Sequence, residues 1–236
     1  MSFSFEIEQY TIVGRLTTRT KNKVIVLVHG FADSKDSRLI KELEGFFLEN
    51  NFTTLALDMP GVGESSGNYY DISPRFEAKV IKKAVEILKA EGYGEIWTCG
   101  HSLGATDVAI VASEMKLHKV ILVNPIVDAR ETFGICEKLG KFKRRVDADL
   151  EIFGVIVAPR FLKAMPNLMD LSYLLKNVVI VQSENDEYCP AAMSKLFFDL
   201  ITDKNKLYLR INGADHNFTS GEMQSELFLK LKETIN

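Results

Sequence analysis

The pentapeptide Gly100-His101-Ser102-Leu103-Gly104 places a serine with a glycine two positions before it and two after it. It follows the strand-like Ile96-Trp97-Thr98-Cys99 and opens a helix-like run from Leu103. A sharp strand-to-helix turn of this kind forces the serine into a strained backbone conformation and exposes its hydroxyl. The glycines leave room where a side chain would strike the adjoining strand or helix. The helix that follows aims its first N–H groups at the site, which favours negative charge there. The chemistry such a serine can do is attack on a carbonyl carbon. It then needs a base to take its proton and an acid to orient that base.

Both partners are present. His216 stands in Gly213-Ala214-Asp215-His216-Asn217-Phe218, just after the strand-like run Leu207–Ile211. Asp186 stands in Glu184-Asn185-Asp186-Glu187-Tyr188-Cys189-Pro190, after Val178–Val181. The chain order serine, acid, histidine is the one that accompanies a serine on this type of elbow. Only four histidines are available. His118 precedes a strand, at the wrong end of the sheet; His101 adjoins the serine and cannot easily curl back onto it; His29 belongs to another loop. His216 is therefore the expected base. Asp186 is the favoured acid, with Asp128 as the alternative and Glu184 and Glu187 on either side of Asp186. Asp215 is expected to order its own loop.

A tetrahedral oxyanion needs backbone donors. Leu103 N–H, directly after the serine, is the first expected donor. Phe31 N–H, in His29-Gly30-Phe31 after the run Val24–Val28, is the second. The glycine-rich Asp58-Met59-Pro60-Gly61-Val62-Gly63-Glu64-Ser65-Ser66-Gly67 lacks the Lys-Ser/Thr ending of a phosphate-binding loop and is read as a tight loop beside the site.

The elements that must position these residues alternate regularly. Phe3–Ile7 and Tyr10–Leu16 alternate apolar and polar residues, as an antiparallel edge pair would. Short apolar runs then recur at Val24–Val28, Thr53–Leu57, Ile96–Cys99, Val120–Val123, Val178–Val181 and Leu207–Ile211, the pattern of strands buried on both faces. Helix-length stretches separate them at Ser37–Asn50, Arg75–Ala90, Leu103–Met115, Ala191–Ile201 and Gly221–Ile235. This alternation predicts an α/β fold, a mostly parallel sheet of about eight strands with helices on both faces. All the candidate residues then fall at the C-terminal edge of the sheet, where such folds place their ligand sites. The rhythm breaks between Asn124 and about Leu168. The stretch of roughly 128–168 is read as a small cap over one end of a single domain, with Lys143-Arg144-Arg145 as a solvated face.

With 236 residues, one domain can bury a full core. The net charge of −3 excludes a nucleic-acid partner or anionic membrane surface held by bulk electrostatics. No apolar run reaches the roughly 20 residues that span a bilayer, and residues 1–10 do not read as a secretory signal. The odd number of widely spaced cysteines, Cys99, Cys136 and Cys189, fits neither a disulfide framework nor a metal knuckle. A cytoplasmic protein, monomeric or homodimeric, is expected.

Taken together, His29-Gly30-Phe31, Asp58 with Gly61, Gly63 and Ser65, the elbow around Ser102, Asp186 with Pro190, and His216 resemble the α/β-hydrolase superfamily over nearly the whole chain. The cap and the Asp58–Gly67 run are most similar to small feruloyl or cinnamoyl esterases and monoacylglycerol lipase-like esterases. The resemblance implies a Ser102–His216–Asp186 triad, no cofactor and no metal, and a small-molecule ester as substrate. One departure is Ser183, where a glycine often stands near the acid strand. Phe31, Phe133, Ile135, Phe153 and Phe161 are candidates for the acyl or alcohol pocket. Amide, thioester, acyl-transfer or peracid chemistry in the same site is the alternative, and a non-catalytic binding protein of the same fold is a third reading.

Overall fold

In β3 (Lys23–Val28), Val24, Val26 and Val28 enter one core while Ile25 and Leu27 enter another. Successive side chains of a strand point to opposite faces of its sheet, so a run that is apolar throughout must be covered on both. The same division holds in β6 (Lys119–Val123), with Val120 and Leu122 on one face and Ile121 and Val123 on the other. It recurs in β10 (Val178–Ser183), through Val178 and Ile180 against Val179 and Val181.

The structure, a computed structural model, describes residues 2–145 and 149–235. The strands β1 (Ser2–Ile7), β2 (Tyr10–Thr17), β4 (Thr53–Leu57), β5 (Glu95–His101) and β11 (Leu207–Ile211) complete an eight-stranded sheet in the order β1-β2-β4-β3-β5-β6-β10-β11. β1 pairs antiparallel with β2, and β2 with β4; the pairings from β4 through to β11 are parallel. The expected antiparallel start and mostly parallel remainder are both present.

Helices α2 (Pro74–Ala90), α3 (Leu103–Glu114) and α6 (Ala191–Leu200) contribute to the first core. Helices α1 (Arg38–Glu49) and α7 (Gly221–Lys232) close the second, through Leu43, Phe47, Leu227 and Leu231. Each presents an apolar stripe at helical spacing, for example Val80, Ile81, Ala84, Val85 and Leu88 on α2.

Between β6 and β10 the architecture changes. Helix α4 (Ala129–Lys138) leads to a three-stranded antiparallel sheet, β7 (Phe142–Arg144), β8 (Leu150–Ile152) and β9 (Val155–Val157). Helix α5 (Arg160–Ala164) and a 3₁₀ segment, Leu168–Leu174, follow. The cap predicted over roughly 128–168 falls on these elements, and residues 146–148 of it lie outside the described residues. Phe133, Phe142, Leu150, Ile152, Val157 and Phe161 form a third core that continues onto Leu103 at the sheet edge. Among the described residues no helix is long and apolar enough to cross a membrane.

Candidate active site

Ser102 stands between β5 and α3 with φ 55° and ψ −117°, a conformation that costs energy for any residue with a side chain. Its backbone hydrogen bonds hold it there. Its N–H donates to the Val123 carbonyl (2.9 Å), and its own carbonyl accepts from Ala105 N–H (3.1 Å) to start the helix. The glycines make the close approach possible: a Cβ on Gly100 would fall on the Gly104 carbonyl oxygen, and one on Gly104 would strike the His29 carbonyl oxygen.

His216 lies after β11, and its Nδ1–H donates to Asp186 Oδ2 at 2.8 Å, with the Asp186 side chain fully buried. That bond leaves the Nε2 lone pair free. Asp186 Oδ1 accepts from Tyr188 N–H (2.9 Å) and Cys189 N–H (2.7 Å), which fixes the carboxylate. The other acids considered are engaged elsewhere. Asp128 caps α4 by accepting Arg130 N–H (2.8 Å), and Glu187 accepts the backbone N–H of His216 (3.1 Å). Glu184 accepts from Gly213 N–H and Arg210, while Asp215 accepts from Asn217, Thr219 N–H and the Thr219 hydroxyl. Ser102 and His216 line one cavity, without a direct hydrogen bond between their side chains. Such contacts are often long in an unliganded site and shorten once substrate is bound.

Two residues not foreseen in the sequence hold the histidine loop. The His216 carbonyl accepts from His101 Nε2–H and from Asn124 Nδ2, both at 2.9 Å. Asn124 also donates to Ser183 Oγ (2.9 Å) and accepts Ser183 N–H (2.8 Å), linking the ends of β6 and β10. Ser183, the departure noted in the sequence, thus has a defined partner. Burial, with His216 alongside, pushes His101 down to about 3, so it is a neutral donor at ordinary pH.

Phe31 and Leu103 bring two backbone N–H groups to the serine's edge of the sheet, and neither N–H has an acceptor among the described residues. The loop carrying Phe31 is braced from below. His29 Nδ1–H donates to Gly30 O (2.7 Å) and its Nε2 accepts Met59 N–H (3.0 Å), while burial lowers its basicity. Ala32 N–H donates to the Tyr69 hydroxyl (2.6 Å), and the Tyr69 ring packs 4.9 Å from Phe31. The Asp58–Gly67 loop is an ion-paired brace: buried Asp58 receives Lys35 Nζ (2.6 Å), Lys35 N–H (2.8 Å) and Glu64 N–H (2.9 Å).

Residues 25–210 match the model of the alpha/beta hydrolase family. This chain belongs to the alpha/beta hydrolase family. No curated protein sequence matches it. Solved structures share the fold at low identity. Est1E from Butyrivibrio proteoclasticus, with ferulic acid bound, is 18% identical, with 99% of each chain covered and a TM-score of 0.79. The Pyrococcus furiosus esterase Pf2001 is 18% identical, with 100% of this chain and 89% of that one covered and a TM-score of 0.84. GrgF, an alpha/beta hydrolase from Penicillium sp. sh18, is 17% identical, with 99% and 97% covered and a TM-score of 0.81.

In this α/β hydrolase the cavity over Ser102 has a volume of about 440 Å³. Of the residues expected to line it, Phe31, Phe133, Phe153 and Phe161 do. Ile135 does not, which corrects the sequence-based expectation. Helix α4 turns Thr132, Phe133 and Cys136 inward, and Ile135, one position out of phase, is only half-buried on its flank. Ile126, Ile152 and Tyr188 join the apolar lining instead.

Asp186, Cys189 and His216 present ligand atoms within 4.8 Å of one another, the one metal-compatible grouping among the described residues. A cation there would have to break the His216–Asp186 bond. It would also have to ionise a Cys189 thiol that burial, with Asp186 beside it, pushes well up. Cys99, Cys136 and Cys189 are all buried and free.

Proposed function

We propose that this chain is a serine carboxylesterase acting on small to medium esters through an acyl-enzyme on Ser102, with His216 as base and Asp186 as its orienting acid. The observation that carries the reading is the 2.8 Å His216–Asp186 bond in the cavity that also contains Ser102, itself held at φ 55°. In the first step Ser102 Oγ attacks the ester carbonyl carbon and His216 Nε2 takes the hydroxyl proton. The Phe31 and Leu103 N–H groups stabilise the oxyanion. Collapse of the tetrahedral species breaks the carbon–alkoxide bond, and the imidazolium protonates the departing alcohol. Water, activated by the same histidine, then releases the acid.

The fold likeness to Est1E, seen with ferulic acid, and to the esterase Pf2001 makes hydroxycinnamate esters and other small carboxylic esters the first substrates to try. The test is hydrolysis of p-nitrophenyl, methyl feruloyl and matched amide and thioester substrates by wild-type protein and Ser102→Ala. Ester turnover by the wild type that is lost in Ser102→Ala supports the assignment. Activity retained by Ser102→Ala contradicts it, and faster amide or thioester turnover moves the chain to the neighbouring acyl chemistries.

A further inference from the structure

Phe153 and Gly154 form the two-residue turn between β8 and β9, closed by the Ile152–Val155 pair, and both have positive φ (49° and 83°). A turn of this hand favours asparagine, aspartate or glycine at its first position, because a bulky side chain there strikes its own backbone. Phe218 also has positive φ, but its ring is 0% exposed in the core. The Phe153 ring is 42% exposed and lies at the cavity. Its ring contact is with Tyr188, 5.2 Å away and edge-on (82°), and Tyr188 in turn meets the His216 ring edge-on at 5.2 Å (90°). At Phe153 that strain comes with a ring placed at the cavity, which points to a purpose there.

The position of this column in the cavity assigns that purpose. Phe31 and Phe161, 5.6 Å apart, wall the side of the oxyanion loop. Phe153 and Tyr188 wall the side of His216, the group that must protonate the departing oxygen. The part of an ester nearest His216 is therefore its alcohol. We infer that Phe153 and Tyr188 form the subsite for the leaving alcohol, and that it selects esters of apolar, above all aromatic, alcohols. This rests on the serine esterase reading above.

Selectivity is the readout. Wild-type protein and Phe153→Asn are compared on acetate esters of methanol, butanol and benzyl alcohol, and on methyl esters of increasing acyl length. In Phe153→Asn the benzyl-to-methyl ratio of kcat/KM falls about tenfold, the scale of one lost aromatic contact. The ratios across the acyl series change by less than about twofold, and Tm stays level or rises because asparagine suits the turn. Phe153→Tyr, which retains the ring, keeps the benzyl-to-methyl ratio. A shift in the acyl series with a constant alcohol series would overturn the assignment, and so would a marked drop in Tm for Phe153→Asn. If the wild type hydrolyses no ester, the function proposed above fails, and benzyl alcohol binding decides the subsite by itself. A Tm rise with benzyl alcohol that Phe153→Asn loses supports it; no rise in the wild type contradicts it.

Discussion

The sheet edge that carries Ser102 and the cap that covers it are built to different tolerances. At the edge, backbone meets backbone. Gly100 and Gly104 leave no space for a methyl group, Ser102 N–H is bonded to β6, and the His216 carbonyl takes two buried donors. The cap has strands only three residues long, and its basic Lys143 and Arg145 pair at its surface with Glu151. Beyond the short β7–β8–β9 ladders its order comes from side chains packed on side chains, through Phe133, Phe142, Leu150 and Phe161. On the proposed function, the difference separates two tasks. Catalytic groups must hold position to fractions of an ångström, so they sit on backbone hydrogen bonds. A wall that recognises substrate needs only shape, which side-chain packing supplies and which substitution can change at small cost.

The comparison can be sharpened by substitution, starting at the edge. Asp186→Asn should lower kcat about 10⁴-fold, because the amide no longer fixes the Nδ1–H tautomer of His216. Near-native far-ultraviolet circular dichroism alongside that loss would confine the effect to the site. Gly104→Ala should cost about 3 kcal/mol of stability, since its methyl group would meet the His29 carbonyl and the neighbouring strand end; denaturant unfolding measures it. The matching cap substitution, Phe133→Leu, shrinks one aromatic in a wall and should cost only about 1 kcal/mol. If both cost the same, the contrast in tolerance fails.

Two buried acids stand out in the body of the fold. Glu77 on α2 and Asp107 on α3 are both buried, each with one carboxylate oxygen that has no partner among the described residues. Burial pushes Glu77 up to about 8, and burial with Glu77 nearby pushes Asp107 well up. The folded state therefore keeps protons that the unfolded chain releases above the ordinary carboxylate range. Above about pH 6.5, where the histidines of the unfolded chain are neutral and the buried His29 and His101 no longer offset the effect, stability should fall as pH rises towards 8. Glu77→Gln should flatten that decline and raise stability at pH 8 by on the order of 1–2 kcal/mol, seen as a higher Tm. A wild-type Tm that rises between about pH 7 and pH 8 would contradict the sign.

How much could be read beforehand follows the same division. Ser102, Asp186 and His216 were legible because each stands just after an apolar run, and parallel strands bring all such positions to one edge. Asn124 was not. It too follows a strand, but an asparagine there has no signature until Ser183 and His216 are seen against it. Tyr69 and its bond to Ala32 depend on how the Asp58–Gly67 loop folds back, which no periodicity encodes. In the cap, a short helix packed on a small sheet left the helical phase undetermined, so Ile135 was placed on the wrong face. The Phe153-Gly154 turn did leave a trace, a glycine between the short apolar runs Leu150–Ile152 and Val155–Val157. Only the backbone angles show that the phenylalanine is strained.

The central claim is that Ser102 is the nucleophile, and labelling tests it most directly. Wild-type protein is treated with a fluorophosphonate, digested, and the adduct located by mass spectrometry, with Ser102→Ala and His216→Ala treated in parallel. The account predicts one adduct, on Ser102, absent in Ser102→Ala and strongly slowed in His216→Ala, where no base takes the hydroxyl proton. A folded wild-type protein that takes no label, or one labelled at another residue, would contradict it.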